Sequence, residues 1–288
     1  MLNSLMTPVG GLLGALSAFT AFYVTMWWSA VAKTRPKDTA LELGTGFVTN
    51  FFDTLGIGSF APTTAIFKFF KLVPDRLIPG TLNVGHTLPT IAQAFIYTVA
   101  IEVDPKTLIL MIVAAVAGSY LGAGLVASWP KRMVQIGMGG ALIVAAVLFT
   151  WKNLGLTAAD TGTLGLDGMK LGLGLAGNFV LGALMSLGIG MYAPCMILVG
   201  LLGMKATVAF PIMMGSCAFL MPVASAKFVE KDAYQLRPAI ALAIGGIPAV
   251  LIAALIVKDM NVVVMRWLVV AVVLIAAGMM LRSAAKNE

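Results

Sequence analysis

Long apolar stretches alternate with short polar breaks along the whole chain. Many of these stretches exceed 18 residues, which is the length that a transmembrane helix needs. Nine apolar segments are apparent, at residues 8–31, 39–71, 77–101, 106–128, 132–151, 169–203, 206–228, 234–257 and 262–282. This pattern predicts an all-α polytopic membrane protein.

Two of the nine segments are too long for one straight crossing. As helices, residues 39–71 and 169–203 would each extend about 50 Å at 1.5 Å per residue, whereas the hydrocarbon core of a bilayer is about 30 Å thick. Each segment has Gly-x-Gly near its middle and a proline four residues later. We therefore expect two re-entrant helical hairpins, each of which enters to mid-depth, breaks and returns to its own side.

The two Gly-x-Gly tracts are copies of one another. Residues 55–62 return as residues 187–194, at an offset of 132 and with six of eight positions identical. Further matches at the same offset predict an internal duplication. We divide the chain into a leading transmembrane helix with a cytoplasmic linker (1–38), a first repeat (39–151), a linker (152–168) and a second repeat (169–288).

The distribution of positive charge favours the hairpins. Only 11% of the residues are charged and the mean hydropathy is +0.98, so the net charge of +7 is assigned to cytoplasmic loops and not to nucleic-acid binding. With two re-entrant segments, thirteen of the nineteen Lys and Arg residues fall on one side, whereas nine crossings would spread them almost evenly. The positive-inside rule then predicts a cytoplasmic (inner) membrane protein with its N-terminus outside and its C-terminus in the cytoplasm.

This topology gives each repeat one hairpin and three crossings. An odd number of crossings inverts the second repeat relative to the first, so the two hairpins enter from opposite faces and their tips meet near the midplane. Pro62 and Pro194 mark the starts of the returning half-helices, because proline is favoured in a first helical turn. The free N–H groups of such a helix start form an anion site. The alternative is that both tracts are packing kinks in crossing helices.

Two titratable residues are candidates for ion coupling. Asp53 lies three residues before the first break, deep in an apolar segment, and its repeat equivalent is Met185. An ionisable residue at this depth is a functional candidate, either as a carrier of a coupling proton or as a carboxylate that holds the loop beside it. His86 is the only histidine, three residues after Asn83, and is either a ligand or a structural hydrogen-bonder. There is no Cys/His cluster, so neither a metal nor another cofactor is expected. Cys195 and Cys217 both lie in apolar runs and are taken as buried thiols.

The paired Gly-Ile-Gly…Pro tracts, at Gly56–Pro62 and Gly188–Pro194, make the chain similar to the sulfite exporter TauE/SafE family. The resemblance extends over nearly all of the chain after the first helix. It implies transport of sulfur-containing anions, such as sulfite or organosulfonates, across the cytoplasmic membrane. The partners that it implies are a small anionic substrate, a coupling proton or sodium ion and the lipid bilayer, and homo-oligomerisation is left open.

We therefore expect a secondary anion transporter, acting as an exporter by alternating access around the hairpin tips, and not an enzyme. A passive anion channel with paired half-helices is the alternative, and an intramembrane hydrolase is disfavoured because Asp53 stands alone at the tip. The coupling candidates are Asp53 and His86. The expected substrate-binding residues are Asn50, Thr54, Gly56, Gly58, Ser59, Thr63, Asn83, His86, Ser186, Gly188, Gly190, Cys195 and Ser216.

Overall fold

The described part of the chain is almost entirely helical. The computed structural model of the protein describes residues 7–32, 40–122, 131–154, 162–186, 190–258 and 262–286. Within these ranges there is no β-strand, and Thr163 and Met204 form one isolated bridge. The helices are α1 (Pro8–Val31), α2 (Ala40–Thr54), α3 (Phe60–Phe69), α4 (Ile78–Ala100), α5 (Pro105–Ala117, continued by a π-turn at Gly118–Gly122), α6 (Lys131–Asn153), α7 (Gly168–Ser186), α8 (Tyr192–Leu201), α9 (Ala209–Glu230), α10 (Leu236–Lys258) and α11 (Val262–Lys286).

The expectation of an all-α membrane protein is confirmed at the level of helix content and apolar length. Four helices of the described residues are long and apolar enough to cross a membrane, at Pro8–Trp28, Gly168–Met185, Ala206–Glu230 and Leu236–Ile256. Helix α4 has 23 residues, and many of its buried positions are polar. These buried polar side chains are Thr81, Asn83, His86, Thr87, Thr90, Gln93 and Thr98.

The two long apolar segments are each divided into two helices. The first becomes α2 and α3, and the second becomes α7 and α8. Helices α3 and α8 have the same length, and α8 begins and ends 132 residues after α3. The helices that follow, α4 to α6 and α9 to α11, begin at the same offset to within one residue. The order of the helices therefore follows the duplication in the sequence, and α3 and α8 also have equal lengths.

The two halves exchange packing partners. Helix α2 packs along α10 of the second half, and α7 packs along α5 of the first, while α4 packs on α9 and α6 on α11. Glycines allow close approach of the exchanged helices. A Cβ added to Gly46 of α2 would lie 2.8 Å from the Ala241 carbonyl oxygen of α10, and one added to Gly182 of α7 would collide with the Ala115 carbonyl of α5.

The chain returns to its starting end after the first break. Glu42, near the start of α2, forms an ion pair of 3.2 Å with Arg237 at the start of α10. Thr81, near the start of α4, accepts a hydrogen bond of 2.9 Å from the Gln235 N–H, two residues before Arg237. Residues on both sides of the α2–α3 pair therefore lie beside the same end of α10.

The second pair behaves in the same way at the opposite end of α4. Just before α7, the Leu166 N–H donates to Thr107 Oγ1 (2.9 Å) at the start of α5. Just after α8, the Gly203 carbonyl accepts from the Thr163 N–H (3.1 Å), which ties this end to the same segment. Residues on both sides of the α7–α8 pair therefore lie beside the start of α5.

Candidate functional site

The first break is a tight turn that requires glycine. Gly56 and Gly58 have φ values of 96° and 89°, which side chains of L-residues rarely adopt. The turn is closed by hydrogen bonds from the Gly56 N–H to the Asp53 carbonyl (2.8 Å) and from the Ile57 N–H to the Phe52 carbonyl (3.1 Å). Helix α3 then begins at Phe60, with Pro62 in its first turn.

The second break has a corresponding helix start. Helix α8 begins at Tyr192 with Pro194 in its first turn, and like α3 it has ten residues. Ten residues extend about 15 Å, roughly half of the hydrocarbon thickness. Leu187–Ile189, including the expected site residue Gly188, lie outside the described residues, as does the side chain of Ser186.

Two small cavities lie between the breaks. The larger, which we call the tip cavity, has a volume of about 40 Å³. The smaller, the Asp53 cavity, has a volume of about 20 Å³ and is also lined by Thr90, Met185 and Met221. Gly58 and Phe60 of the first break and Gly190 and Tyr192 of the second line both cavities. The structure therefore brings the duplicated tracts together.

The tip cavity is bordered by two helix starts whose first amides have no acceptor among the described residues. The N–H groups of Phe60 and Ala61 in α3, and of Tyr192 and Ala193 in α8, donate no hydrogen bond to another described residue. All four residues line the tip cavity. Such unpaired N–H groups at a helix start attract anions.

Asp53 is hydrogen-bonded through its carboxylate to the loop of the first break. Its carboxylate accepts from the Ser59 N–H at Oδ1 (2.6 Å) and from Gln93 Nε2 at Oδ2 (2.9 Å). The side chain is 2% exposed and lines the Asp53 cavity, and its hydrogen-bond partners among the described residues are all neutral. Asp53 thus holds its own loop and also faces a cavity, so both interpretations of this residue stay open.

Gln93 joins the two tips. Its Nε2 donates to Thr54 Oγ1 (3.0 Å) as well as to Asp53, and its Oε1 accepts from the Tyr192 hydroxyl at 2.7 Å. Gln93 was not predicted from the sequence. It belongs to a stripe at helical spacing on α4, which identifies one inward-facing side. The residues of this stripe are Asn83, His86, Thr90, Gln93 and Tyr97.

His86 braces the two helices of the first pair. Its Nδ1 lies 3.0 Å from Asn50 Oδ1, and its Nε2 lies 3.1 Å from Thr63 Oγ1. Since Asn50 Nδ2 donates to the Gly46 carbonyl (2.7 Å), the Asn50 oxygen is the atom that faces His86, and we assign the imidazole proton to Nδ1. Nε2 then accepts from the Thr63 hydroxyl, for which the Ser59 carbonyl at 2.7 Å competes.

Some of the remaining expected residues line the two cavities, and the others lie outside the cavity walls. The cavity walls contain Gly58, Ser59 and Gly190. The other described residues of the predicted set lie outside both walls, and these are Asn50, Thr54, Gly56, Thr63, Asn83, His86, Cys195 and Ser216. Asn83 donates to the Pro79 carbonyl (2.9 Å), whereas Ser216 accepts from Asn178 (3.1 Å) on α7.

Sulfur atoms border the second tip. Met185 and Met221 line the Asp53 cavity together with Met191. The Cys217 thiol donates to the Met185 thioether at 3.2 Å, and Cys195 is fully buried on α8. The described residues contain no group of three or more His, Cys, Asp or Glu side chains that would hold a metal ion. The second tip therefore offers soft, uncharged side chains where the first offers a carboxylate.

The site is thus built from two similar helix starts, one buried carboxylate and one amide that contacts both halves. Its chemistry has to be argued from these residues. No protein-family model, curated protein or solved structure matches the chain.

Proposed function

We propose that this protein is a secondary transporter of small sulfur-containing anions, which exports them by alternating access around the two tips. One observation carries the proposal. Two ten-residue helices start 132 residues apart in the sequence, and the first two residues of each, whose amides donate to no described residue, line one cavity. A transporter site formed by discontinuous helices at a repeat interface has this arrangement.

In this proposal each helix pair is a re-entrant hairpin. Helices α3 and α8 have about half the length of a crossing, and the chain on either side of each pair lies at one end of the bundle. Backbone without helical hydrogen bonds is tolerated inside a membrane where it is buried or lines a cavity. Gly58 and Gly190 meet this condition, because they border both cavities.

The charge balance favours a monoanion. Each helix start contributes roughly half a positive charge, so two of them offset about one negative charge. No Lys or Arg is among the residues that line either cavity. Space for a water molecule takes roughly 10–15 Å³, so the tip cavity of about 40 Å³ suits a small oxyanion.

Asp53 is the proposed site of proton coupling. An ionised Asp53 beside a bound anion is unfavourable, because like charges repel strongly where water is excluded. A proton on the carboxylate removes this repulsion, so protonation of Asp53 and binding of the anion favour one another. His86 is the second candidate, because a proton on Nε2 would force the Thr63 hydroxyl to donate elsewhere. A sodium ion would have Asp53 as its one carboxylate ligand among the residues of the two cavity walls.

The identity of the anion rests on the resemblance of the paired tracts to those of the sulfite exporter family. The small, amide-bordered cavity supports an anion but carries no preference for sulfur by itself. Sulfite, thiosulfate and sulfonates are therefore the substrates to test first. Phe60 and Tyr192 line both cavities, so two bulky side chains border the proposed site, which favours a carrier over the alternative of a passive anion channel.

The proposal is tested with purified protein in liposomes, assayed against sulfite, thiosulfate, sulfonates and carboxylates under imposed proton and sodium gradients. We expect saturable flux of a sulfur anion that responds to the proton gradient. Ala61→Leu should abolish it by filling the tip cavity, whereas Ala65→Leu, an identical change one turn further along the same exposed face of α3 and outside both cavity walls, should not. Movement of no sulfur anion would refute the substrate class, and flux that never saturates and ignores gradients would indicate a channel.

A further inference from the structure

We infer that Gln93 is the positioning residue that transmits the protonation state of Asp53 to the second tip through Tyr192. The inference rests on the proposed function, since it explains how a proton at one tip changes the other. Gln93 is fully buried, and its amide is hydrogen-bonded to both tips. Tyr192 is the first residue of α8 and lines both cavities.

With Asp53 ionised, every hydrogen in this chain of contacts has an acceptor. The Thr54 hydroxyl donates to the Asn50 carbonyl at 2.7 Å, so its oxygen is available to accept from Gln93 Nε2. The second hydrogen of Nε2 goes to Asp53 Oδ2, and Gln93 Oε1 accepts from the Tyr192 hydroxyl. These contacts fix the orientation of the amide, because only its nitrogen can donate.

Protonation of Asp53 disrupts this set of hydrogen bonds. Oδ1 continues to accept from the Ser59 N–H, so the new proton resides on Oδ2, where it faces the Gln93 NH₂ group. Two donors then point at each other, and a buried donor without an acceptor costs roughly 1–3 kcal/mol. Rotating the amide by half a turn restores the match at Asp53, because Oε1 then accepts from the carboxylic acid, and the Thr54 hydroxyl turns from the Asn50 carbonyl to donate to the same Oε1.

The rotation has a consequence at the second tip. Gln93 Nε2 now faces the Tyr192 oxygen, so the phenol accepts where it previously donated, and its own hydrogen needs a new acceptor. Thr90 lines the Asp53 cavity together with Tyr192, and its hydroxyl oxygen is the acceptor that we assign to this hydrogen. Protonation at the first tip thereby reverses the hydrogen bond between Gln93 and Tyr192 and turns the hydroxyl hydrogen of the first residue of α8. No covalent bond changes and no further reactant is required.

Few other titratable groups surround this chain of contacts. Tyr97 on α4 and Cys217 on α9 interact electrostatically with Tyr192, and Cys217 also does so with Asp53 and Cys195. His86 lies seven residues before Gln93 and contacts Asn50 and Thr63. Helix α10, which packs along α2, has no titratable residue between Arg237 and Lys258. Asp53 is thus the acidic group that the Gln93 amide contacts.

The test compares the pH dependence of anion uptake in three variants. In Tyr192→Phe the amide loses its fixed orientation while the ring still packs, so the midpoint of the pH profile should move by about one unit, which corresponds to 1.36 kcal/mol. In Gln93→Leu the profile should flatten. Ser225→Ala is the control, because Ser225 is the buried repeat equivalent of Gln93, contacts Thr87 and lies outside both cavity walls.

A purely structural role for Gln93 predicts a different result. Uptake would then fall by the same factor at every pH and the profile would keep its midpoint in both variants, which would overturn the inference. If the wild type moves no anion, the proposed function fails but Gln93 can still be tested. Infrared difference spectra of the purified protein between acidic and neutral pH should contain a tyrosine signal that is absent in Asp53→Asn, Tyr192→Phe and Gln93→Leu. Persistence of that signal in Gln93→Leu would contradict the transmission from Asp53 to Tyr192 through Gln93.

Discussion

The two tips have similar backbones and different side chains. Position by position at the offset of 132, Asn50 of the first half corresponds to Gly182, Asp53 to Met185, Thr63 to Cys195 and His86 to Ala218. Behind the first tip, hydrogen bonds connect α2, α3 and α4. At the second, thioethers and thiols fill the equivalent space. The comparison teaches that the duplicated feature is the helix start, which suits an anion, whereas the buried carboxylate and the histidine belong to one half only.

The comparison of the two tips depends on each helix pair, α2–α3 and α7–α8, returning to the side of the membrane from which it entered. A test of this return has the largest expected effect. Single cysteines introduced at Lys71 and Lys231 should react with a membrane-impermeant reagent from one face, and those at Lys106 and Lys170 only from the other. All four positions are exposed. The result is all-or-none, since a re-entrant pair leaves the next helix on the side where the pair began. Labelling of Lys71 and Lys231 from opposite faces would remove the second hairpin, and labelling of a cysteine at Ala40, which is exposed at the start of α2, from the face opposite to Lys71 would remove the first.

The second-largest expected effect comes from replacing Asp53, the acid that the second half lacks at the equivalent position. Asp53→Asn keeps an oxygen for the Ser59 N–H but cannot exchange a proton, so it should hold the Gln93 amide in the orientation of the protonated state. We expect uptake to fall by roughly tenfold or more, equivalent to at least about 1.4 kcal/mol, and to lose its dependence on pH.

Met185→Leu is the matched change at the equivalent position, and it conserves volume. It should retain the pH dependence and lower uptake by much less. The measurement is initial uptake into liposomes between acidic and alkaline pH. Unchanged rate and pH profile in Asp53→Asn would remove Asp53 as the proton carrier and leave it as the group that holds its loop.

The sequence predicts the backbone of the tips better than their contacts. Gly56, Gly58 and Pro62 act locally, through allowed φ values and a missing N–H group, so their positions alone indicate where a helix ends and the next begins. Asp53 was identifiable because a lone acid in an apolar segment is rare. Gln93 was overlooked, because its role depends on which sides of α2, α4 and α8 meet, and that is decided by packing between distant segments. Only the polar stripe on α4 pointed to it.

A third effect tests whether the two breaks have the same backbone. Gly58 has a φ of 89°, whereas Gly190 at the equivalent position is not in the left-handed region, and an added Cβ meets nothing within 4 Å at either site. Gly58→Ala should therefore destabilise the protein by about 1–2 kcal/mol through strain alone, and Gly190→Ala by well under that. Thermal unfolding in detergent measures both. Equal losses would mean that the breaks are strained alike and that the asymmetry lies only in side chains.

The smallest effect lies at the helix ends outside the tips, where the halves also differ. Asp104 caps α5 by accepting from the Thr107 N–H (2.8 Å) and hydroxyl (2.7 Å), whereas its equivalent at the start of α10 is Leu236. The Thr107 hydroxyl lowers the pKa of the Asp104 carboxyl below its usual range. Since the folded pKa lies below the unfolded value of about 3.9, this stabilisation is present above that pH and is lost as the pH falls through the folded pKa.

Asp104→Ala should therefore cost about 1 kcal/mol of unfolding free energy near neutral pH, as is typical of an N-cap residue. The difference from the wild type should shrink towards zero in acid. Leu236→Ala, the change at the equivalent position, should give a difference that does not vary over the same acidic range, because leucine does not titrate. A pH-independent cost for Asp104→Ala would show that its carboxylate charge contributes nothing to the cap. In that case Asp104 and Leu236 would distinguish the two halves by side-chain shape alone. A titratable group would then distinguish the halves only at the tips.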